Sequence, residues 1–196
     1  MRTQLSRPAA HRAWPLPARW VLSAVAYPAG GLLAITIAGS VDDPRSAVAG
    51  GALAGASIGV GQWVALRPFV RGGGRLRYRW IGGTSIAMAA GLGFGAAAVG
   101  YRTGTADLLA MGSITGAVLG PAQAAVLYTA GGATRWRAAI WAMTVPLLWA
   151  LGWFVTASAG VDVDRQYAVF GITGALASSV LGAPVLTLVL ADRPRS

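Results

Sequence analysis

Six long apolar segments, separated by short polar stretches, dominate the pattern of this 196-residue chain. None of them contains Asp, Glu, His, Lys or Arg. Each has about the 20 residues that an α-helix needs to cross a bilayer, so the pattern predicts an all-α integral membrane protein with six transmembrane helices. These segments, numbered here as spans one to six, cover residues 20–40, 47–66, 80–100, 108–128, 138–158 and 167–190.

The composition agrees with this pattern, because only 11% of the residues are charged, against about a quarter in a typical soluble domain. Thirteen of the 16 basic residues, all of them Arg, flank the spans on one side, while five of the six Asp residues lie on the other. Short Arg-rich loops stay in the cytoplasm, which predicts a protein of the cytoplasmic membrane with both termini inside. The net charge of +10 is explained by this topology, so no nucleic-acid partner is expected.

The chain divides into an Arg-rich cytoplasmic tail, residues 1–18, and a single membrane domain, residues 19–196. An alternative is that the basic start and first apolar run form a cleaved signal peptide. We favour a retained first span, because the apolar run is long enough to cross the membrane and matches the internal repeat described next.

An internal repeat relates the odd-numbered spans, in each of which a Trp is followed eleven residues later by a Gly. The pairs are Trp20 and Gly31, Trp80 and Gly91, and Trp141 and Gly152. Even-numbered spans repeat a row of small residues at helical spacing. The rows are Gly51, Gly55 and Gly59; Gly112, Gly116 and Gly120; and Gly174, Ser178 and Gly182. The repeat predicts three tandem helical hairpins at about 19–67, 79–128 and 138–190.

The small residues of each row share one helix face, and such faces let helices approach closely in lipid. Gln62 and Gln123 fall on the same face as the glycines that precede them, whereas Leu181 stands at the matching position of the third copy. A Gln amide is costly against hydrocarbon, so we expect both amides to hydrogen-bond another helix. A solute-lining role is the alternative.

Other aromatic and proline residues admit ordinary structural interpretations. Trp20, Trp63, Trp80 and Trp141 lie near the predicted cytoplasmic ends of spans, which predicts an interfacial aromatic belt. Prolines interrupt four spans, and each frees a backbone carbonyl that a neighbour must satisfy or that lines a cavity. They are Pro28, Pro121, Pro146 and Pro184.

Catalytic chemistry is sparse. The chain has neither Cys nor Lys, and its one histidine, His11, lies in the tail. Proton-coupled transporters usually carry ionisable groups inside their spans, and nucleophilic sites need a base beside the nucleophile. We therefore predict no catalytic, cofactor-binding or metal-binding residue, and we expect no enzyme.

The segment GALAGASIGVGQWVALR, with its Gly row running into Gln62-Trp63 and Leu66-Arg67, resembles a group of uncharacterised bacterial multi-pass membrane proteins that repeat Gly-x-x-x-Gly…Gln-Trp-x-x-Leu-Arg. The motif departs in span four, where Ala124 replaces the Trp, and in span six, where the Gln is absent. The resemblance implies a helical membrane bundle and brings no activity. The Pro-x-acidic-x-x-basic signature of mitochondrial-type carriers, which also use three two-helix repeats, is absent from the sequence.

Two functions are compatible with this pattern. An accessory or scaffold subunit would bind other membrane proteins, a second copy of itself or lipids through its Gly-rich helix faces. A permease or pore for a small neutral or weakly polar solute would instead place Gln62, Gln123, Ser178 and the carbonyls freed by Pro121 and Pro184 around a central path.

Overall fold

A computed structural model describes residues 14–70 and 73–191. The helices are α1 (Leu16–Leu22), α2 (Ala26–Ala38), α3 (Pro44–Leu66), α4 (Gly73–Ala98), α5 (Thr105–Val126), α6 (Arg135–Ser158) and α7 (Ile172–Leu190). None of the described residues lies in a β-strand. Six segments are long and apolar enough to cross a membrane, with α1 and α2 together forming the first. The prediction of an all-α protein with six helices long and apolar enough to span a membrane is therefore confirmed for the described residues.

The first span is interrupted by a 3₁₀ turn over Ser23–Val25. Pro28 has no backbone N–H to donate to the carbonyl of Ala24, so the α-helical ladder is broken at this point. The buried hydroxyl of Ser23 donates to the carbonyl of Trp20 at 2.6 Å, so this polar side chain is satisfied within the interrupted span.

The start of α3 is fixed by a capping box. Asp43 accepts hydrogen bonds from the backbone N–H groups of Arg45 and Ser46, and the Ser46 hydroxyl accepts from the N–H of Asp43. Pro44 occupies the first helical position, where a missing N–H costs nothing. The backbone donors of Ser46 and Arg45 hold the pKa of the Asp43 carboxyl below its ordinary value, which strengthens the cap at neutral pH.

Each long helix packs against the next one in the chain, and α7 packs against α1. The order of contacts is that of a closed ring of six spans. The contact between α7 and the first span is made mainly by α1, with little from α2. The first span and α7 therefore lie close together where α1 is and farther apart where α2 is.

Helix α7, which forms span six, begins at Ile172, five residues later than the apolar pattern predicts. The chain before it, residues 159–171, contains only the short 3₁₀ turn Val163–Arg165. The side chains of Ala168, Val169 and Phe170 are buried, so their apolar character reflects insertion into the bundle. The first helix begins at Leu16, inside the predicted tail, whose residues 1–13 lie outside the described part of the chain.

Candidate functional site

A cluster of buried polar side chains links five helices, α2 to α6, toward the Arg-rich end of the bundle. The Nε2 of Gln123 donates to the Oε1 of Gln62 at 3.0 Å and to the Oγ1 of Thr84 at 3.2 Å. The Nε1 of Trp141 donates to the Oε1 of Gln123 at 3.1 Å. The Nε2 of Gln62 donates to the hydroxyl of Tyr27 over a longer 3.4 Å. These five residues are called the amide cluster.

The amide cluster forms because two helices carry a Gln at the same place relative to their glycines. Gln62 lies on α3 and Gln123 on α5, and α4, which packs between these helices, supplies Thr84. Both amides are buried and bonded to other helices. Buried amides that satisfy one another avoid the cost of a polar group in an apolar interior.

A cavity of about 20 Å³ adjoins the amide cluster. Gln62, Gln123, Ser178 and Ser179 line it together with aromatic and aliphatic side chains. The Ser178 hydroxyl donates to the carbonyl of Leu148 at 2.8 Å. A volume of this size holds about one water molecule, so it is too small for a solute in this conformation. Ala117 and Val180, whose carbonyls Pro121 and Pro184 leave without a helical donor, are exposed and do not line it, contrary to the arrangement expected for a permease.

The Gly row of α3 lies against α4. A Cβ atom added at Gly51 would lie 2.6 Å from the carbonyl oxygen of Met88, and one added at Gly55 would lie 2.9 Å from the Cα of Ser85. At Gly59 the corresponding distance to the Cα of Ile81 is 3.0 Å. Real Cβ atoms essentially never come within 3.0 Å of such atoms, so the close contact between α3 and α4 requires glycine at Gly51 and Gly55, and at Gly59 a Cβ atom would be a tight fit.

The Gly row of α5 is used in the same way, against α6. A Cβ atom added at Gly116 would lie 2.6 Å from the Cα of Pro146, and one at Gly120 would lie 2.6 Å from the carbonyl oxygen of Ala142. At Gly112 the carbonyl oxygen of Trp149 would be 2.9 Å away. Both rows are filled by helices of the same chain, so they are not open grooves for another protein.

The row on α7 departs from the other two. Gly174 faces the carbonyl oxygen of Gly152 on α6, whereas Gly182 contacts Leu148 and the indole of Trp20 less closely. Leu181, which stands where the other copies have Gln, is exposed on the outer surface. The face that α7 turns inward therefore differs from those of α3 and α5.

The predicted interfacial belt is wrong for three of its four tryptophans. Trp20, Trp80 and Trp141 are only 4%, 2% and 2% exposed, because their rings turn into the bundle. The rings of Trp20 and Trp141 meet edge to face at 5.6 Å. The Nε1 of Trp80 has no hydrogen-bond partner within the described residues. Trp63 is partly buried against the same core.

A second cluster, of aromatic rings, shares Tyr27 with the amide cluster and extends from it toward the other end of the bundle. Phe170 stacks on Tyr27 at 5.2 Å between ring centroids. It meets Trp149 edge to face at 5.0 Å and Trp153 at 5.9 Å. Phe170 belongs to the segment that precedes α7, which we call the cap (residues 159–171). Sequence analysis assigned the end of this segment to the sixth span and so missed the cap.

Hydrogen bonds hold the cap to the two other loops at its end of the bundle. The backbone N–H of Val41 donates to the carbonyl of Gln166 at 2.9 Å. The side-chain amide of Gln166 donates to the carbonyl of Tyr101 at 2.8 Å. Thr103 donates to Asp164 at 2.7 Å. Both Gln166 and Tyr101 have a positive φ, a conformation that costs non-glycine residues free energy.

The acidic side chains at the cap end are engaged with neighbours. Asp107 forms an ion pair with Arg102 at 2.8 Å, and Asp162 lies 3.4 Å from Arg165. Within residues 14–70 and 73–191, no three His, Cys, Asp or Glu side chains are grouped so that they could hold a metal ion.

Comparisons with protein-family models, with curated proteins and with solved structures find no match to this chain.

Proposed function

We propose that this protein is a non-catalytic, multi-pass membrane protein that serves as an accessory subunit and binds other membrane components through its outer surface. One observation carries the proposal: the side chains of the amide cluster bond to one another around a cavity of about 20 Å³. A cavity of this size holds about one water molecule and has no room for a substrate. What the bundle offers to partners is its lipid-facing exterior.

The sequence pattern predicts that partners bind the Gly-rich helix faces, but in the structure two of these faces are occupied by helices of the same chain. Gly51, Gly55 and Gly59 lie against α4, and the row on α5 lies against α6. A substitution such as Gly55→Leu would therefore disrupt the bundle itself and could not report on a partner. The proposed contact surface consists instead of exposed apolar stripes.

Two such stripes suit a test, because both are regular and well exposed. Ile86 and Phe94 lie two turns apart on α4, and Met143 and Leu147 lie one turn apart on α6. The native mass and composition of the protein, extracted in mild detergent or native nanodiscs, should reveal a stoichiometric partner. Ile86→Trp and Leu147→Trp then serve as controls for one another, since a partner docked on one stripe is lost only with the variant on that stripe.

A homogeneous monomer, with no polypeptide retained in either preparation, would contradict the accessory role. A homo-oligomer that both Trp variants leave intact would exclude these two stripes as the contact. In each case, circular dichroism of the variants establishes that the bundle still folds.

We also propose that the six spans form three tandem hairpins with both termini in the cytoplasm. The equivalent use of the Gly rows on α3 and α5, each against the following helix, supports the repeat. The different packing of Gly174 against the preceding helix indicates that the third copy has diverged. The distribution of Arg supports the orientation.

A permease for a small neutral solute is the second candidate. It is favoured by one observation, that Gln62, Gln123 and Ser178 line the same cavity. A transport cycle would require α7 and the cap to move, because Phe170 fills the space beyond Tyr27. Uptake of small neutral solutes into proteoliposomes, compared with Gln62→Leu and Gln123→Leu, tests it. Equal uptake by vesicles with and without the protein would exclude this function.

A further inference from the structure

An open apolar groove separates α1 from α3 at the Arg-rich end of the bundle. Its volume is about 440 Å³, within the range of small-molecule sites. Leu22, Val25 and Val64 form its walls, and all three side chains are exposed. Gly61, which lines the groove, lies close to the Cβ of Ala26 at the start of α2, so the groove opens beside the contact between α2 and α3.

The guanidinium group of Arg19 links α1 to α3 at the end of this groove. The Nε of Arg19 donates to the carbonyl of Ala65 at 3.2 Å, and its Nη2 donates to the carbonyl of Val64 at 2.8 Å. These bonds satisfy carbonyls at the C-terminal end of α3 and hold the guanidinium in place. A guanidinium has five N–H groups, so three remain for another acceptor.

Charge at this end of the bundle is uncompensated. Within the described residues the acids Asp42, Asp43, Asp107, Asp162 and Asp164 all lie at the cap end, and Arg19 contacts none of them. Arg67, which ends α3, is exposed nearby. Trp14 lines the same groove and is exposed, as expected of a ring at the level of lipid head groups.

We propose that this groove binds one anionic phospholipid. The phosphate accepts hydrogen bonds from the free N–H groups of Arg19, since a guanidinium fork matches phosphate geometry. An acyl chain lies between Leu22, Val25 and Val64, along the part of the groove that Gly61 also lines. An apolar partner helix would occupy the space between the walls but would leave the charge of Arg19 without an acceptor. The inference is independent of the proposed accessory role.

Native mass spectrometry of the detergent-purified protein, incubated with equal amounts of phosphatidylglycerol and phosphatidylcholine, tests the site. Wild type should retain one phosphatidylglycerol in preference to phosphatidylcholine. One basic group near a membrane surface changes the affinity for anionic lipid by about fivefold, so Arg19→Gln should lower that preference about fivefold. Arg75→Gln removes an exposed charge at the same end, outside the groove, and should leave the preference unchanged.

A second variant guards against misfolding, because Arg19→Gln also removes the bonds between α1 and α3. Val64→Trp fills the groove with a side chain and leaves the carbonyls that Arg19 contacts in place, so it should abolish retention while the protein stays folded by circular dichroism. The proposal is wrong if wild type does not distinguish the two lipids. It is equally wrong if Arg75→Gln acts as strongly as Arg19→Gln, if folded Val64→Trp keeps the lipid, or if a polypeptide occupies the groove instead.

Discussion

Gln123 is the residue on which the amide cluster depends. Its amide bonds to Gln62, Thr84 and Trp141, whereas Gln62 bonds only to Gln123 and, weakly, to Tyr27. Interhelical hydrogen bonds in membranes contribute about 0.6–1 kcal/mol each. Gln123→Leu should therefore lower the free energy of unfolding by about 2–3 kcal/mol, because it also leaves the buried indole of Trp141 without an acceptor.

Gln62→Leu is the matched comparison, and it should cost about 1 kcal/mol, since it removes one good hydrogen bond and one long one. Reversible unfolding of the detergent-solubilised protein by added SDS measures both values. A double-mutant cycle between Gln123→Leu and Trp141→Phe isolates their direct bond. If Gln62→Leu lowers the free energy of unfolding more than Gln123→Leu does, the amide cluster does not depend mainly on Gln123.

How far the sequence could predict individual residues depends on what each position requires. The two Gln amides and their glycines were predictable, because polar and small residues stand out in apolar helices. Their partners Thr84 and Trp141 come from other helices, so no spacing along one helix indicates them. The tryptophans were placed at the interface wrongly, since helices that are apolar all round give no periodic signal for which face turns inward.

At the scale of helices, the Gly rows set how closely neighbours approach. Gly55→Ala and Gly116→Ala each introduce a methyl group that meets atoms of the facing helix at 2.6 Å. Such overpacking costs about 1–3 kcal/mol. Gly82 on α4 has no atom within 4 Å of an added Cβ, so Gly82→Ala should leave stability unchanged or raise it by up to about 1 kcal/mol.

The same SDS titration compares these three variants in one assay. A loss at Gly82 as large as that at Gly55 would mean that the added methyl group destabilises the protein without a facing helix, and the contact between α3 and α4 would no longer explain the effect at Gly55. Tolerance of Ala at both Gly55 and Gly116 would contradict the close backbone approach directly.

The capping box of Asp43 and Ser46 at the start of α3 makes a pH-dependent contribution to helix stability. Backbone N–H groups lower the pKa of Asp43, so the folded state favours the charged carboxylate. This contribution is complete above the ordinary carboxyl pKa of about 3.9 and is lost as the pH falls through the lower folded value. The melting temperature should therefore decrease in acid more for wild type than for Asp43→Asn, which keeps the cap without a titrating group.

Thermal melts of both proteins in the same detergent, recorded between about pH 6 and about pH 2, make this comparison. Other carboxyls titrate equally in the two proteins, so only the difference between the curves counts. Parallel curves would show that the charge on Asp43 does not stabilise α3.

Helix α4 begins at Gly73, seven residues before the apolar run that predicts it, because the helix also includes the polar stretch with Arg75, Arg77 and Arg79. Four other spans could be predicted to within about four residues at each end, because their apolar runs coincide with the helices. The sixth could not, since Ala168, Val169 and Phe170 are as apolar as a helix that faces lipid but are buried as part of the cap. Hydrophobicity alone does not distinguish insertion into a bundle from insertion into a bilayer. The break in the first span follows from Pro28, although its position at Ser23–Val25 depends on the local turn.

For the whole molecule, the hydrogen bonds among Val41, Gln166 and Tyr101 gather three loops at one end, and most Arg residues lie at the other. An Arg-rich end resists translocation, so the cap end should face the outside of the cell.

The chain contains no cysteine, which permits single-cysteine labelling without a background. Ser158→Cys and Thr134→Cys place a thiol at opposite ends of α6, each at an exposed position. In intact spheroplasts a membrane-impermeant maleimide should label Ser158→Cys, and it should reach Thr134→Cys only after permeabilisation. The reverse pattern would invert the topology, and equal labelling of both would show that the charge asymmetry does not select one orientation.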